Sequence, residues 1–424
     1  MKLPSAVVAA LLLAPPGAAA QDPAPTTAGQ DPAPQVDVLD VWRQLRDEQP
    51  KPEIGQDTQG RMIAAMPIIG WNPTFGITFG AAAQIAFVAG DPATTRLSSS
   101  VSSLSYSTHN DLLLNVRFGL HTGENRLFVE GDNRVYVSGQ SVYGLGTDTP
   151  SSGGVDADYT FVRLHDRVYR RMRGPLYLGA GLLFDSHANV EPEDDVGGAW
   201  TGSPYVTYST QHGLPVDSQQ SGGISANLLL DKRVGEIDPR RGWMVQGWYR
   251  FSFDGFLGGD SNWQLAHVEL RTYLPLGPKP RTSETSPADS VPAKHRLAFW
   301  TFTDVTTRGA APYFDLPETV SDVYGRSARA YQQGRYRGER LAYGEVEYRG
   351  MLTRNGLLGI VAFANATTVT NLDAGEKLFD SYAPAGGAGL RVLFNKRSRT
   401  NFCVDVAFGK DGAKGLYFAL QDAF

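Results

Sequence analysis

The feature that most constrains this chain is a period-two alternation of apolar and polar residues, which runs from about residue 62 to residue 424. The segments 126–137, 262–274 and 339–350 show it most clearly. Successive side chains of a β-strand point to opposite faces, so the alternation predicts strands with one apolar face and one charged face. The period alone fits either a soluble β-sandwich or a membrane β-barrel.

Long strands whose polar faces carry both signs of charge favour the barrel. A membrane barrel has an apolar outside and a polar inside, and only closure pairs every strand edge in lipid. The sequence therefore predicts an all-β fold, a transmembrane antiparallel β-barrel of about sixteen strands, and fourteen stays open because the first strand has the weakest pattern. The predicted strands are 62–70, 74–88, 96–108, 111–120, 126–137, 158–172, 174–186, 221–232, 241–253, 262–275, 295–305, 339–350, 355–364, 384–394, 400–408 and 414–423.

The lengths of the predicted connections support this topology. The long connections 138–157, 187–220, 306–338 and 365–383 all follow odd-numbered strands, and the Pro-rich 276–294 is the one long exception after an even-numbered strand. Bacterial outer-membrane barrels have long outer loops and short periplasmic turns. We therefore expect the chain in the outer membrane of a Gram-negative cell, with both termini in the periplasm.

The N-terminal residues predict export from the cytoplasm. Residues 1–20 combine a basic start at Lys2, a short uncharged apolar stretch and the small residues Ala18-Ala19-Ala20. This order is typical of a cleaved signal peptide, and the apolar stretch is too short to span a bilayer. The barrel itself would occupy 62–424.

The segment 21–61 is predicted as a Pro-rich linker that carries one short amphipathic helix over 37–48. The helix places four apolar residues on one face, Val38, Val41, Trp42 and Leu45. It either rests against another part of the protein or docks a partner, and both interpretations stay open.

The C-terminal segment carries apolar residues that share one strand parity, and the chain ends on an aromatic residue. Strands of this type resemble the signal that the outer-membrane assembly machinery reads, so we expect that machinery as a partner for insertion of the chain. The residues of the predicted C-terminal assembly signal are Leu416, Phe418, Leu420 and Phe424.

Composition and residue spacing argue against several other classes of protein. The 39 basic and 44 acidic residues lack the basic excess of a nucleic-acid-binding protein. The single Cys403 excludes an intramolecular disulfide and a CxxC zinc site, and the seven histidines show no paired metal-ligand spacing. The sequence has no nucleophile elbow, P-loop or dinucleotide-binding motif. We therefore expect no enzymatic activity, no catalytic or metal site, no cofactor and no nucleic acid partner.

Four further segments narrow the family. They are DKRVGEIDPRRG at 231–242, ARAYQQGRYRGER at 328–340, the apolar segment 355–366 and the C-terminal 386–424. Together, in this order, they resemble the barrel domain of the bacterial surface antigen (BamA/TamA) outer-membrane family. The Tyr-Gly-rich segment 143–146 also looks like an element of its shorter members. The resemblance covers roughly 62–424.

The family resemblance implies that the sixth outer loop folds back into the lumen, where carboxylates of the inner wall hold an arginine at its tip. In this chain Ala330 stands where the family tip has glycine, which adopts positive φ more readily, and Asn365 stands where an aspartate is expected. A guanidinium in a lumen needs close carboxylate contacts. The alternative is that the arginines of the predicted connection 306–338 coat a solvated outer loop. The candidate loop-tip residues are Arg329, Tyr331, Arg335 and Arg337, and the candidate lumenal partners are Glu345, Glu347 and Asp405.

Two functions follow as alternatives. The resemblance implies outer-membrane biogenesis, by insertion or translocation of client proteins, although 21–61 is too short to hold the POTRA domains that such proteins usually carry. The other function is a passive or anion-favouring diffusion pore. The expected partners are outer-membrane lipid and client proteins, and we expect a monomer.

Overall fold

A closed antiparallel barrel accounts for nearly all of the structure, a computed structural model. It describes residues 35–47, 62–72, 74–91, 94–194, 196–235, 237–277, 294–396 and 398–424. Over these residues sixteen strands pair in sequence order, and β1 closes the barrel against β16. The predicted fold class and strand number are confirmed. The predicted signal peptide and most of the predicted linker lie outside the described residues.

The strands follow one another along the chain with connections of unequal length. Helix α1 (Val38–Gln44) precedes the barrel, and helix α2 (Pro204–Gln211) lies in the connection between the seventh and eighth strands. Neither these helices nor the short 3-10 turns within the described ranges are long and apolar enough to cross a bilayer. The strands are β1 Met62–Asn72, β2 Gly76–Phe87, β3 Ser98–Ser107, β4 Leu112–Thr122, β5 Leu127–Val142, β6 Val155–Arg173, β7 Leu176–Pro192, β8 Ser218–Asp231, β9 Gly242–Ser252, β10 Trp263–Leu276, β11 His295–Arg308, β12 Arg340–Met351, β13 Leu358–Val369, β14 Ala383–Asn395, β15 Thr400–Gly409 and β16 Lys414–Leu420.

The two ends of the barrel differ in their connections. We call the end at which β1 begins and β16 ends the turn end, and the opposite end the loop end. The turn end has connections as short as the two residues between β6 and β7. The loop end carries the long connections where the sequence predicts them, at 143–154, 193–217, 309–339 and 370–382.

The alternating pattern gives the barrel an apolar outer face and a charged inner face. In β10, Val268 is 58% exposed, whereas Glu269 and Arg271 are buried. These buried charges pair with each other, since Arg271 Nε donates to Glu269 Oε1 at 2.5 Å. The interior is thus a network of ion pairs and aromatic rings rather than an aliphatic core.

Helix α1 is attached by its acidic side. Asp37 caps the helix, and its carboxylate accepts a hydrogen bond from the main-chain nitrogen of Lys396, in the turn after β14, at 2.8 Å. Lys396 Nζ lies 2.7 Å from the Asp40 carboxylate. Trp42 and Leu45 are 55% and 77% exposed. Helix α1 therefore rests against the barrel through the carboxylates of Asp37 and Asp40, and whether its exposed apolar residues also dock a partner stays a prediction.

Candidate functional site

The most densely charged part of the interior surrounds Arg329, in the connection 309–339, hereafter loop 309–339. Its Nη1 donates to Asp405 at 2.7 Å, and its Nη2 donates to Glu345 at 2.5 Å and to Glu347 at 2.6 Å. The guanidinium carbon lies 3.5 Å from the centre of the Phe363 ring. Burial opposes the charge, but the three carboxylates hold the pKa of Arg329 well above its ordinary value. The structure therefore brings together one predicted tip arginine and all three predicted partners.

Further arginines balance the three carboxylates. Arg326 pairs with Asp405, Arg349 Nε donates to Glu347 at 2.7 Å, and Arg391 bridges two aspartates. The resulting network of alternating charges contains as many arginines as carboxylates. Its members are Arg326, Arg329, Arg349, Arg391, Glu345, Glu347, Asp405 and Asp422. Buried ion pairs of this kind are sensitive to loss of either partner, because the other charge is then left uncompensated.

The tip of loop 309–339 adopts a backbone that favours glycine. Ala328 has φ of 52° and Ala330 has φ of 112°. The Ala330 amide donates to the Tyr417 hydroxyl of β16 at 2.9 Å, which holds the tip in place. Tyr331 extends the anchor, since its hydroxyl donates to Pro384 O at 2.5 Å and accepts from the Lys410 amide at 2.9 Å.

The other two predicted tip arginines bind elsewhere. Arg335 donates to Thr149 O at 2.7 Å and stacks against the Tyr143 ring. Arg337 pairs with Glu318, and its Nη1 donates to Tyr313 O at 2.9 Å, both within loop 309–339. Arg335 thus joins loop 309–339 to the connection 143–154, whereas the side chain of Arg337 holds loop 309–339 to itself. Both lie apart from the carboxylates around Arg329.

Loop 309–339 contacts strands on several sides of the barrel. Its Tyr313 amide donates to Gln219 of β8 at 3.0 Å. From β5, Arg134 Nη2 donates to Asp322 O at 2.8 Å. Together with the contacts to β12, β15 and β16 around Arg329, these bonds join the loop to side chains of five strands.

The Tyr-Gly-rich segment 143–146 and the following Thr147 contact both loop 309–339 and β13. The Gly146 amide donates to Arg337 O at 2.8 Å. The Thr147 hydroxyl donates to Val369 O at 3.1 Å and accepts from the Val369 amide at 2.6 Å. This segment follows β5, whereas Val369 ends β13, so it reaches from one side of the loop end to the other.

The junction of β1 and β16, hereafter the seam, differs from the other strand pairs. β1 is in register with β2 along its whole length, from Met62 to Asn72. On its other side, within the described residues, the register with β16 consists of Trp71 opposite Leu416. Among the described residues, the turn-end part of β1 is therefore in register with β2 alone.

The C-terminal residues correct one expectation. Leu416, Phe418 and Leu420 lie in β16, but Phe424 does not continue that strand. Gln421 has φ of 88°, and Arg391 Nε donates to Asp422 at 2.5 Å, so the chain turns away from the strand. Phe424 is buried, with its ring 5.2 Å from that of Trp300. Its predicted shared parity is therefore wrong, while the assembly signal itself stays a prediction.

Asp315 marks the base of loop 309–339. Its Oδ2 accepts a hydrogen bond from Ser221 of β8 at 2.5 Å, and its Oδ1 is buried without a hydrogen-bond partner. Burial raises the pKa of Asp315 to about 7, and the nearby Asp185 carboxylate contributes in the same direction. The loop is thus anchored through a carboxyl group that titrates near neutrality.

Sequence reasoning missed half of the charge network around Arg329. Arg349 shares strand parity with Glu345 and Glu347, so the alternation already places it on the inner face. Arg326 and Asp422 lie in irregular segments, where no periodic signal reports the direction of a side chain.

Comparison with known proteins supports the fold. The structure is similar to BamA from Haemophilus ducreyi lacking POTRA domains 1–3, with a TM-score of 0.50, 14% identity, and coverage of 84% of this chain and 68% of that one. The fold is that of an outer-membrane β-barrel. CdiB from Acinetobacter baumannii matches with a TM-score of 0.49, 12% identity and 85% coverage of this chain, which spans 60% of CdiB.

The structure also has a weaker similarity to a third protein, and the sequence has no match. OccK11 from Pseudomonas aeruginosa also matches, with a TM-score of 0.33, 11% identity, and coverage of 84% of this chain and 92% of that one. No protein family and no curated protein matches the sequence.

Proposed function

We propose that this outer-membrane barrel acts in membrane assembly at its seam, with client proteins as substrates. The short register between Trp71 and Leu416 carries the proposal. Main-chain groups without partners are costly in lipid, and an unpaired strand edge is a template for another strand. The seam is therefore the place where a strand of an incoming protein would pair. The biogenesis role that the sequence resemblance implies agrees with this. The function requires neither a cofactor nor a catalytic residue.

The second part of the proposal is that loop 309–339 closes the lumen, with the loop end facing the outside of the cell and the turn end the periplasm. Its support is the burial of Arg329 among carboxylates of the inner face. A filled lumen directs activity to the seam, since a client then has no free path through the centre.

The test locks the seam with a disulfide. In a Cys403→Ser background, Trp71→Cys and Leu416→Cys place two thiols at the one position in register between β1 and β16. Facing residues of an antiparallel pair have Cβ atoms about 4.5–5.5 Å apart, close enough for a disulfide after a small adjustment. The assay is the rate at which a urea-denatured outer-membrane barrel acquires its folded form in vesicles that contain this protein. We expect acceleration with the reduced variant and none after oxidation.

A matched control pair lies between β2 and β3. Phe79 and Tyr106 are in register and both exposed on the outer face, so Phe79→Cys with Tyr106→Cys tests oxidation away from the seam. Oxidation of this pair should leave the assisted folding rate unchanged. Assisted folding that persists with a fully oxidised seam, or no assistance by the reduced protein, would contradict the proposal.

A diffusion pore is the second candidate function. The interior holds a cavity of about 300 Å³ whose wall includes Arg117, Arg163 and Arg167. The same wall also holds carboxylates, among them Glu130, Asp132 and Glu269. An open path would therefore favour small anions only where the guanidinium groups line it.

A further inference from the structure

Two turn-end connections meet at the mouth of the barrel, and their described residues are 88–91 and 94–97 in the first and 232–235 and 237–241 in the second. Arg96 Nη1 in the first donates to Asp231 at 2.9 Å, and Arg96 Nη2 donates to Arg233 O at 3.3 Å. Asp231 ends β8 and Arg96 precedes β3, and four strands separate these two in the barrel wall. Their ion pair therefore reaches across the opening instead of along the wall.

The second connection also contacts β11, two strands beyond β9 in the barrel wall. Asp238 pairs with Arg296 of β11, although β10 lies between β9 and β11. The Val234 amide donates to Arg241 O at 2.9 Å, which draws the two sides of the connection together. Ile237 is buried, as a residue pointing into bulk water would not be. The part of the connection that holds Ile237 and Asp238 therefore packs against the barrel and does not project into solvent.

The Arg96–Asp231 contact is firmly built. Asp231 is buried and also accepts from the Arg233 amide at 2.9 Å and from Arg233 Nη2 at 2.8 Å. The Arg96 amide donates to Asn125 of the next turn-end connection at 2.7 Å. Buried charge-assisted hydrogen bonds of this kind fix geometry more strongly than exposed pairs.

The cavity lies between this contact and loop 309–339. Its wall includes Leu97 and Arg233 at the turn end, and Phe314 and Tyr324 of loop 309–339 on the other side. A path through the barrel would therefore meet two constrictions, one after the other.

We propose that the described residues of these two connections form a second barrier at the turn end, in series with loop 309–339 and latched by Arg96 and Asp231. The inference rests on the proposed closure of the lumen by that loop. Resistances in series add, so removal of either barrier alone leaves the current limited by the other. The test therefore compares the conductance of the double variant with the conductances of the two single variants.

The experiment measures planar-bilayer conductance of the refolded chain in four forms. They are the unmodified protein, a deletion of 309–337, the latch variant Arg96→Gln with Asp231→Asn, and both changes together. Neutralising both members leaves neither Arg96 nor Asp231 as an uncompensated buried charge. Arg233 also loses its contact with Asp231, but its side chain is 13% exposed and keeps access to water. We expect each single change to give small currents, and their combination to raise the conductance several-fold above the sum of the two.

The control replaces an exposed ion pair in another turn-end connection. Arg126 and Glu124 lie 3.6 Å apart with side chains 79% and 63% exposed. Arg126→Gln with Glu124→Gln should not increase the current of the loop deletion. A deletion that alone gives large currents, with no further rise in the latch variant, would overturn the second barrier and leave the closure of the lumen by the loop intact. Large currents from the unmodified protein would overturn both.

A second measurement tests the barrier in the full-length chain, in case the deletion of 309–337 does not fold. Ser99 lines the cavity near the turn end, so Ser99→Cys in the full chain reports access from that side. The native Cys403 is fully buried. We expect a charged thiol reagent to modify the cysteine introduced by Ser99→Cys faster in the latch variant than in the protein with the latch intact. Equal rates would refute the barrier. Neither measurement depends on the seam assay, so the two proposals fail separately.

Discussion

Replacement of Arg329 should lower the stability of the barrel more than replacement of an exposed arginine. Arg329→Ala leaves Glu345, Glu347 and Asp405 close together without their shared cation. Breaking a buried pair from one side typically costs about 3–5 kcal/mol, so we expect a loss of that order in the stability of the barrel and greater ion leakage. Arg329→Lys should be intermediate, because a single ammonium cannot reach three carboxylates in the planar fork that arginine provides.

Denaturant unfolding in detergent and bilayer leakage measure these two effects. The control is Arg126→Ala, since the side chain of Arg126 is 79% exposed and its pair with Glu124 lies at the surface. Such pairs contribute little. If Arg329→Ala unfolds at the same denaturant concentration as this control, the loop tip does not hold the barrel together.

Replacement of Ala330 by glycine should stabilise the protein. Its φ of 112° lies in a region that alanine adopts only with strain, and relief of such strain is worth about 1–3 kcal/mol. We expect Ala330→Gly to raise the unfolding midpoint. Ala413 has φ of −59°, so Ala413→Gly at an ordinary conformation should lower the midpoint instead. A decrease for both would show that the tip is not strained.

Asp315 should make stability depend on pH. Its pKa is raised to about 7 in the folded protein from an ordinary value of 3.8, so the folded state binds a proton that the unfolded state has already released. Stability therefore falls as the pH rises from about 4 to about 7, and changes no further above that range. We expect Asp315→Asn to unfold at a higher temperature than the unmodified protein at pH 8, but not at pH 4. The exposed Asp373, changed to Asn, should not alter the profile.

Individual strands were predictable because the signal is local. A period of two needs only the residues of one strand, and all sixteen strands lie where the alternation places them. The ends are less well defined. Three strands extend past their predicted limits at the loop end: β5 ends at Val142, β6 begins at Val155 and β7 ends at Pro192. Beyond the bilayer the outer face need not be apolar, so the alternation fades there while the strand continues.

Pairing between distant elements leaves no such signal. The contact of Arg96 with Asp231, and the contact of Lys396 with helix α1, join residues far apart in the chain. Neither the charge nor the spacing of these residues indicates its partner. Arg329 could be paired with its carboxylates only because a family resemblance supplied the loop geometry.

The seam should be the least protected part of the sheet. Hydrogen exchange reports local opening, and amides without a strand partner exchange fast. We expect peptides from the turn-end part of β1 to exchange faster than peptides from β12 and β13, which are in register from Leu341 to Met351. Mass spectrometry on the protein in lipid nanodiscs measures this difference. Equal protection of β1 and β13 would mean that β16 pairs along the whole of β1.

At the scale of the whole molecule, the two candidate functions predict opposite permeability. A lumen crossed by loop 309–339 and by the turn-end connections should admit neither a neutral pentose nor a small organic anion. We therefore expect vesicles that contain the protein to swell no faster in arabinose or in gluconate than empty vesicles. A general porin in the same lipid serves as the positive control. Swelling in gluconate alone would establish an anion-favouring pore, because the guanidinium groups of the cavity would then line an open path. Swelling in neither solute, together with assisted folding that stops when the seam is oxidised, would leave the seam as the working part of the barrel.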